Sequence, residues 1–157
     1  MAGFDAFLKI DGIPGESQDA KHKNEIDVLS FHWGIARDQR GRPQVEDFQV
    51  VKQVDAASPL LFDAVCSGQH IDDALFTVRE AGGKEMREFL KIRFAGVLVS
   101  SVTPAGTAGG DTPPMEQVSL DFQSAEIEYR PRNPDGSSGA PVRSSCTPPP
   151  GRVLPNE

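Results

Sequence analysis

The chain is poor in cysteine, tryptophan and tyrosine, and it has no long apolar run. Its 157 residues hold two cysteines, one tryptophan and one tyrosine. Two cysteines do not make a disulfide framework, so Cys66 and Cys146 are expected as unbridged thiols. No stretch approaches the ~20 apolar residues of a membrane-spanning helix. The opening MAGFDAFLKIDG has neither the basic lead nor the apolar core of a secretory signal. Cations are also in deficit, 16 Lys and Arg against 23 Asp and Glu, a net charge of −7. Nucleic acid is therefore not expected as a partner, because phosphate binding rests on Lys and Arg.

What remains is enough for one hydrophobic core and too little for two. The most informative stretch is Glu25 to Gly34, EIDVLSFHWG. Its strict alternation reads as one strand, with Leu29, Phe31 and Trp33 on a core face and Ile26, Val28, Ser30 and His32 on the other. That second face mixes aliphatic, hydroxyl and imidazole groups, so something other than this subunit's own core is expected against it. Around the strand, FDAFLKI alternates before a break at DGIPG, and DAKHKN reads as a polar, exposed connection. VEDFQVVKQV reads as a third strand, with Phe48, Val50 and Val54 sharing a face.

Ser58-Pro59 opens the one convincing helix, with Ser58 as cap, Pro59 at the first helical position and Gly68 as the left-handed stop. Leu61, Ala64 and Val65 form its apolar stripe. Residues 75–81 and 85–102 read as a hairpin turning at Gly82-Gly83. In the last clear strand Val118, Leu120 and Phe122 are even-numbered while Ala125, Ile127 and Tyr129 are odd. One extra residue near Gln123-Ser124 predicts a β-bulge. The fold class is therefore mainly β, a compact antiparallel β-barrel or two-sheet fold with one short flanking α-helix. Residues 1–130 form the domain. Residues 131–157, which hold seven of the thirteen prolines, form a Pro-rich C-terminal arm.

Candidate chemistry is thin. Cys66 and His70 are four apart, but Gly68 lies between them and no second ligand pair appears, so no metal and no cofactor is expected. Asp72-Asp73 reads as a solvated turn. GSSG at 136–139 has no strand leading into it and no helix after it, so it is not a nucleophile elbow. The chain reads as not an enzyme. An antiparallel sheet must instead dispose of its edges, and one short helix cannot cover them. Contacts between copies would do so, and a heterologous contact repeated by rotation closes a ring.

The blocks FLKIDGIPGESQDAKHKNEIDVLSFHWG, SPLLFDAVCSGQH, TVREAGGKEMREFLKIRFAGVLVSSV and EQVSLDFQSAEIEYRP run in an order and spacing that resemble the Hcp family, the hemolysin-coregulated proteins of bacterial type VI secretion. The resemblance covers Phe4 to Tyr129. It implies a structural subunit of the secretion tube, a homohexameric ring that stacks into a tube inside a contractile sheath, below a spike protein. It also implies effector proteins carried and chaperoned in the lumen, and a route from the bacterial cytoplasm to the outside without a signal peptide. The organising strand matches a segment that lines the lumen, so Ser30 and His32 are expected to face effectors while Leu29, Phe31 and Trp33 hold the core. The loop RDQRGRP matches one that reaches toward the next ring, which makes Asp38, Arg40 and Arg42 the expected inter-ring residues. The family's last strand is reduced here to APVRSS, and the tail is too short for a fused toxin domain. An adaptor or exported binding module that keeps the fold without entering a tube is the alternative.

Overall fold

A computed structural model describes residues 3–82 and 86–148. Ten strands and one helix follow in chain order: β1 (Phe4–Ile10), β2 (Ile26–Val28), β3 (Ser30–His32), β4 (Ile35–Arg37), β5 (Pro43–Val45), β6 (Phe48–Gln53), α1 (Ala57–Ser67), β7 (Ile71–Glu80), β8 (Glu88–Ala105), β9 (Met115–Tyr129) and β10 (Val142–Cys146). All pairings are antiparallel, in the order β2-β1-β7-β8-β9-β6-β3, with β10 also on β9 and β4-β5 as a separate two-stranded sheet. The first and last strands of that order, β2 and β3, are joined through Leu29 alone. The chain itself thus bridges the two borders, and the Leu29 N–H donates to the Val51 carbonyl at 2.8 Å. The result is a nearly closed barrel.

This seam corrects the reading of EIDVLSFHWG as one strand. Ile26 and Val28 are buried, but the phase reverses at Leu29, which leaves the core and is 50% exposed. Phe31 and Trp33 turn back inward without being buried. Phe31 is 37% exposed, and Trp33 packs on the core from its rim. The expected core trio Leu29, Phe31 and Trp33 is therefore a corner residue followed by two rim aromatics. A segment that pairs with β1 on one side and β6 on the other must twist between them, and a strict period of two does not survive that turn.

The core is aromatic. Phe48 is fully buried, with ring centroids 5.0 Å from Phe76, 4.9 Å from Phe94, 6.2 Å from Trp33 and 6.3 Å from Phe31. Such pairs, stacked at Phe31 and tilted or edge-on at the others, are favourable beyond the area they bury. The Trp33 indole N–H donates to the Glu46 carbonyl at 2.8 Å, which satisfies its one polar atom.

The phase slip in β9 is real, but it is no bulge against β8. Pairs Ala95↔Ser124 and Val97↔Phe122 keep one register, because β8 slips at the same level, from buried Ile92 and Phe94 to buried Val97 and Val99. Both strands bend together at Gly96, whose φ is +63° and whose missing side chain leaves room for Gln123. The register shifts instead near Ser100 and near Arg79.

Helix α1 starts before Ser58. The Asp55 carboxylate accepts from the Ala57 N–H at 2.9 Å and Glu16 accepts from the Ala56 N–H at 2.8 Å, while Gly68 closes the helix at φ +65°. Ser58 is used elsewhere. Its hydroxyl donates to Glu116 at 2.6 Å beside the fully buried Lys52, whose ammonium reaches Glu116 at 2.5 Å and Asp55 at 2.8 Å. This ion cluster fastens the helix entrance to β6 and β9. The expected stripe becomes Ala57, Leu61 and Ala64, with Val65 turned outward.

Of the Pro-rich arm, Val142–Cys146 is a strand of the barrel sheet, from Val142↔Tyr129 to Cys146↔Ala125. The second glycine of the hairpin turn, Gly83, and the end of the arm at 149–157 lie outside the described residues. No described helix is long and apolar enough to cross a membrane.

Candidate functional site

Antiparallel partners point to the same face, so the register defines what the barrel shows outward. Across β3, β6, β9 and β8 two rows emerge. One runs Ser30, Val51, Gln117, Thr103; the other runs His32, Gln49, Ser119, Ser101. None of these eight side chains is a carboxylate, ammonium or guanidinium, in a chain where a quarter of the residues are charged. Gln117 donates to the Gln49 side chain at 2.8 Å, tying the two rows together. The expected Ser30 and His32 both lie on this face and are exposed. The His32 ring stands 3.5 Å from the Glu46 carboxylate, an open pair that solvent screens.

The opposite sheet face is of another kind. Its rows across β7, β8, β9 and β10 read Thr77, Lys91, Glu128, Arg143 and Leu75, Arg93, Glu126, Ser145. Charges alternate in sign there. The Glu128 carboxyl, which burial alone would raise, is held below the ordinary value by a hydrogen bond from Arg130 and by the charges of Arg143 and Lys91. One barrel thus presents a neutral hydroxyl and amide face and a charged, self-compensated one.

Asp38, Arg40 and Arg42 sit at the tip of the β4-β5 hairpin, apart from Ser30 and His32 in the sheet order. Asp38 builds this turn. It accepts from the backbone N–H groups of Arg40 and Arg42, both at 2.9 Å, and from the Arg42 side chain at 3.2 Å. The backbone donors, that of Arg42 foremost, hold its carboxyl below the usual range. Arg37 donates to the Gly41 carbonyl across the same turn. Of the three expected residues, Asp38 and Arg42 shape the loop and Arg40 projects from it.

Two apolar surfaces escaped the sequence reading. Helix α1 exposes Leu60 on one flank of its buried stripe and Val65 and Phe62 on the other, the last 66% exposed. At the end of the long ribbon, Ile127, Tyr129 and Val142 share an uncovered face, aligned by the Tyr129↔Val142 pairing. The signal was present in LLFDAVCS, which carries more apolar residues than one stripe requires. Cys66 and His70 are both exposed near the helix end, and no group of three potential metal ligands occurs among the described residues.

Comparison with known proteins gives a consistent answer. A family model described as the type VI secretion system effector Hcp matches residues 7–129. Protein hcp1 of Pseudomonas aeruginosa is 38% identical over 149 residues, covering 88% of this chain and 91% of that protein. The crystal structure of Hcp1 from Salmonella typhimurium is 39% identical, covers 94% of this chain and 95% of that one, and superposes with a TM-score of 0.80. A type VI secretion system effector from Yersinia pestis is 35% identical, covers 91% of this chain and 99% of that one, and gives 0.78. A barrel bridged through Leu29, one flanking helix and a match along most of the chain agree: this protein belongs to the Hcp family of type VI secretion.

Proposed function

We propose that six copies close into a ring, that rings stack into the inner tube of a type VI secretion system, and that the neutral sheet face lines the lumen. The observation that carries this reading is the pair of unlike apolar surfaces, α1 on one side and the β9-β10 end on the other. A contact between two different patches is heterologous, and a heterologous contact that closes makes a ring. With those surfaces covered, Ser30 and His32 stay free beside uncharged Gln49, Ser101, Thr103 and Gln117, with the Glu46 carboxylate 3.5 Å from His32. Effector proteins would meet hydroxyl and amide groups there, a lining that sheds one cargo and accepts the next. The contractile sheath around the tube, the spike at its tip and export from the bacterial cytoplasm follow from the same reading. The work done is mechanical and steric, and no catalytic step is assigned.

Replacing Phe62 with glutamate places a carboxylate in the proposed contact and should reduce a six-fold annulus to monomers by native mass spectrometry. The fold should persist, because Phe62 is an outward residue. A parent protein that stays monomeric at high concentration refutes the ring and favours an adaptor with this fold. A second expectation concerns stacking. Every copy brings a charge of −7, so rings repel unless salt screens them within a Debye length of ~8 Å. Sedimentation should show tubes growing with salt, and Arg40→Glu at the hairpin tip should weaken them. Tubes that dissolve as salt rises contradict this account.

A further inference from the structure

The segment 17–25, with residues 19–24 expected as an exposed connection, is a flap closed over the outer face of β1 and β7. Hydrogen bonds from Asn24 N–H to the Ser17 carbonyl at 2.9 Å and from Gly15 N–H to the Asn24 carbonyl at 2.8 Å fold it on itself. Under it lie Phe7, Thr77 and Arg79, all buried. Its centre is His22, itself buried and stacked on Phe7 with ring centroids 4.3 Å apart and planes within 8°.

Both ring nitrogens of His22 face carboxylates. Nδ1 is 2.9 Å from Glu25 Oε2, and Nε2 is 2.7 Å from Glu88 Oε1. Two carboxylate acceptors need two N–H donors, which only the imidazolium supplies. A neutral ring satisfies one carboxylate and turns a lone pair on the other. The penalty is sharpened at Glu25, whose second oxygen is buried without a hydrogen-bond partner. The other charges around the ring are Lys91 of β8, 3.3 Å from Glu88; Asp19 in the flap, 2.6 Å from Arg79 of β7; and Asp5 of β1, 3.2 Å from the same guanidinium. Arg79 lies over the Phe7 ring at 4.8 Å, and Lys21 and Lys23 flank His22 in sequence.

The geometry points to a proton-operated latch: protonated His22 bolts the flap to β8, and loss of that proton opens the flap and uncovers Phe7. Histidine is the side chain that most readily exchanges a proton under mild conditions, which suits it to control such a closure. The acid side has its own limit. Burial raises the Glu88 carboxyl, but hydrogen bonds from His22 and Lys91 outweigh it and hold the group below the ordinary carboxyl value. A depressed carboxyl stabilises the closed form above its unfolded value and loses that effect as pH falls through its folded one. The latch is thus shut in mild acid, and it loosens in strong acid and again on the alkaline side.

Hydrogen exchange of the full-length protein, corrected for the intrinsic pH dependence of the amides, tests this. Amides of 17–25 should lose about tenfold or more of their protection between about pH 6 and about pH 9, the scale of one lost charge-assisted hydrogen bond. Glu88→Gln supplies the decisive arm. Its amide can donate to the unprotonated nitrogen while the other nitrogen still donates to Glu25, so the flap should stay protected at the higher pH. His22→Phe keeps the stack on Phe7 and should exchange quickly at both. Wild-type protection that does not change with pH overturns the latch, as does a Glu88→Gln protein that opens like the parent.

Discussion

Replacing Lys52 with methionine should lower the unfolding free energy by about 3–5 kcal/mol, the usual effect of removing one member of a buried ion pair. Lys52 is fully buried, and its ammonium meets Glu116 at 2.5 Å and Asp55 at 2.8 Å. Without it, Glu116 keeps the Ser58 hydroxyl as its near donor but remains an anion out of water. For a chain of this size the melting temperature should fall on the order of 10 °C. The informative comparison is the double replacement Lys52→Met with Glu116→Leu. Exchanging the whole pair for apolar side chains is often neutral or stabilising, so most of the loss should return. If both proteins melt near the parent, the cluster is not what fastens α1 to the barrel. If the double variant is worse than the single one, the desolvation argument fails.

Truncating Phe48 to alanine is the second large effect, about 3–5 kcal/mol by the usual scale for a buried aromatic. Phe48 joins the rings of Phe76 and Phe94 at about 5 Å to the two rim aromatics, Phe31 and Trp33. A cavity there borders the only tryptophan, so chemical denaturation followed by Trp33 emission reads both stability and local repacking. The emission of the folded variant should move to longer wavelength as water approaches the indole. A Phe48→Leu protein, closer in volume, should lose less than half as much. A loss below about 1 kcal/mol with unchanged emission would show that the cluster closes over the gap, contrary to the dense packing of such interiors.

The two predictions probe opposite solutions to one problem. At the Phe48 level the barrel is filled by apolar rings. At the Lys52 level, four residues along the same strand face, an alternation that reads as apolar through Phe48 and Val50 ends in a charge. The family match makes a tube subunit of this chain, and a tube subunit needs a barrel that does not deform when pushed. Interlocking rings at one level and a hydrogen-bonded ion cluster at another both resist sliding of strands past one another.

The sequence by itself determined the mainly β class, the single helix with its Gly68 stop, the phase slip in β9 (though not its cause) and the likeness to a family, since each is written in short-range periodicity or collinear blocks. Ser30 and His32 were also legible as residues outside the core. Their neighbours in the neutral face were not, because Gln49, Ser101 and Gln117 meet only once register pairs strands far apart in the chain. Tertiary structure alone decided the corner at Leu29, where joining two sheet borders outranks alternation. It also decided the burial of Lys52 and His22, two polar side chains that no propensity places inside. Local patterns record which way a residue points along its own strand, whereas the partner that makes a buried charge tolerable comes from another part of the chain.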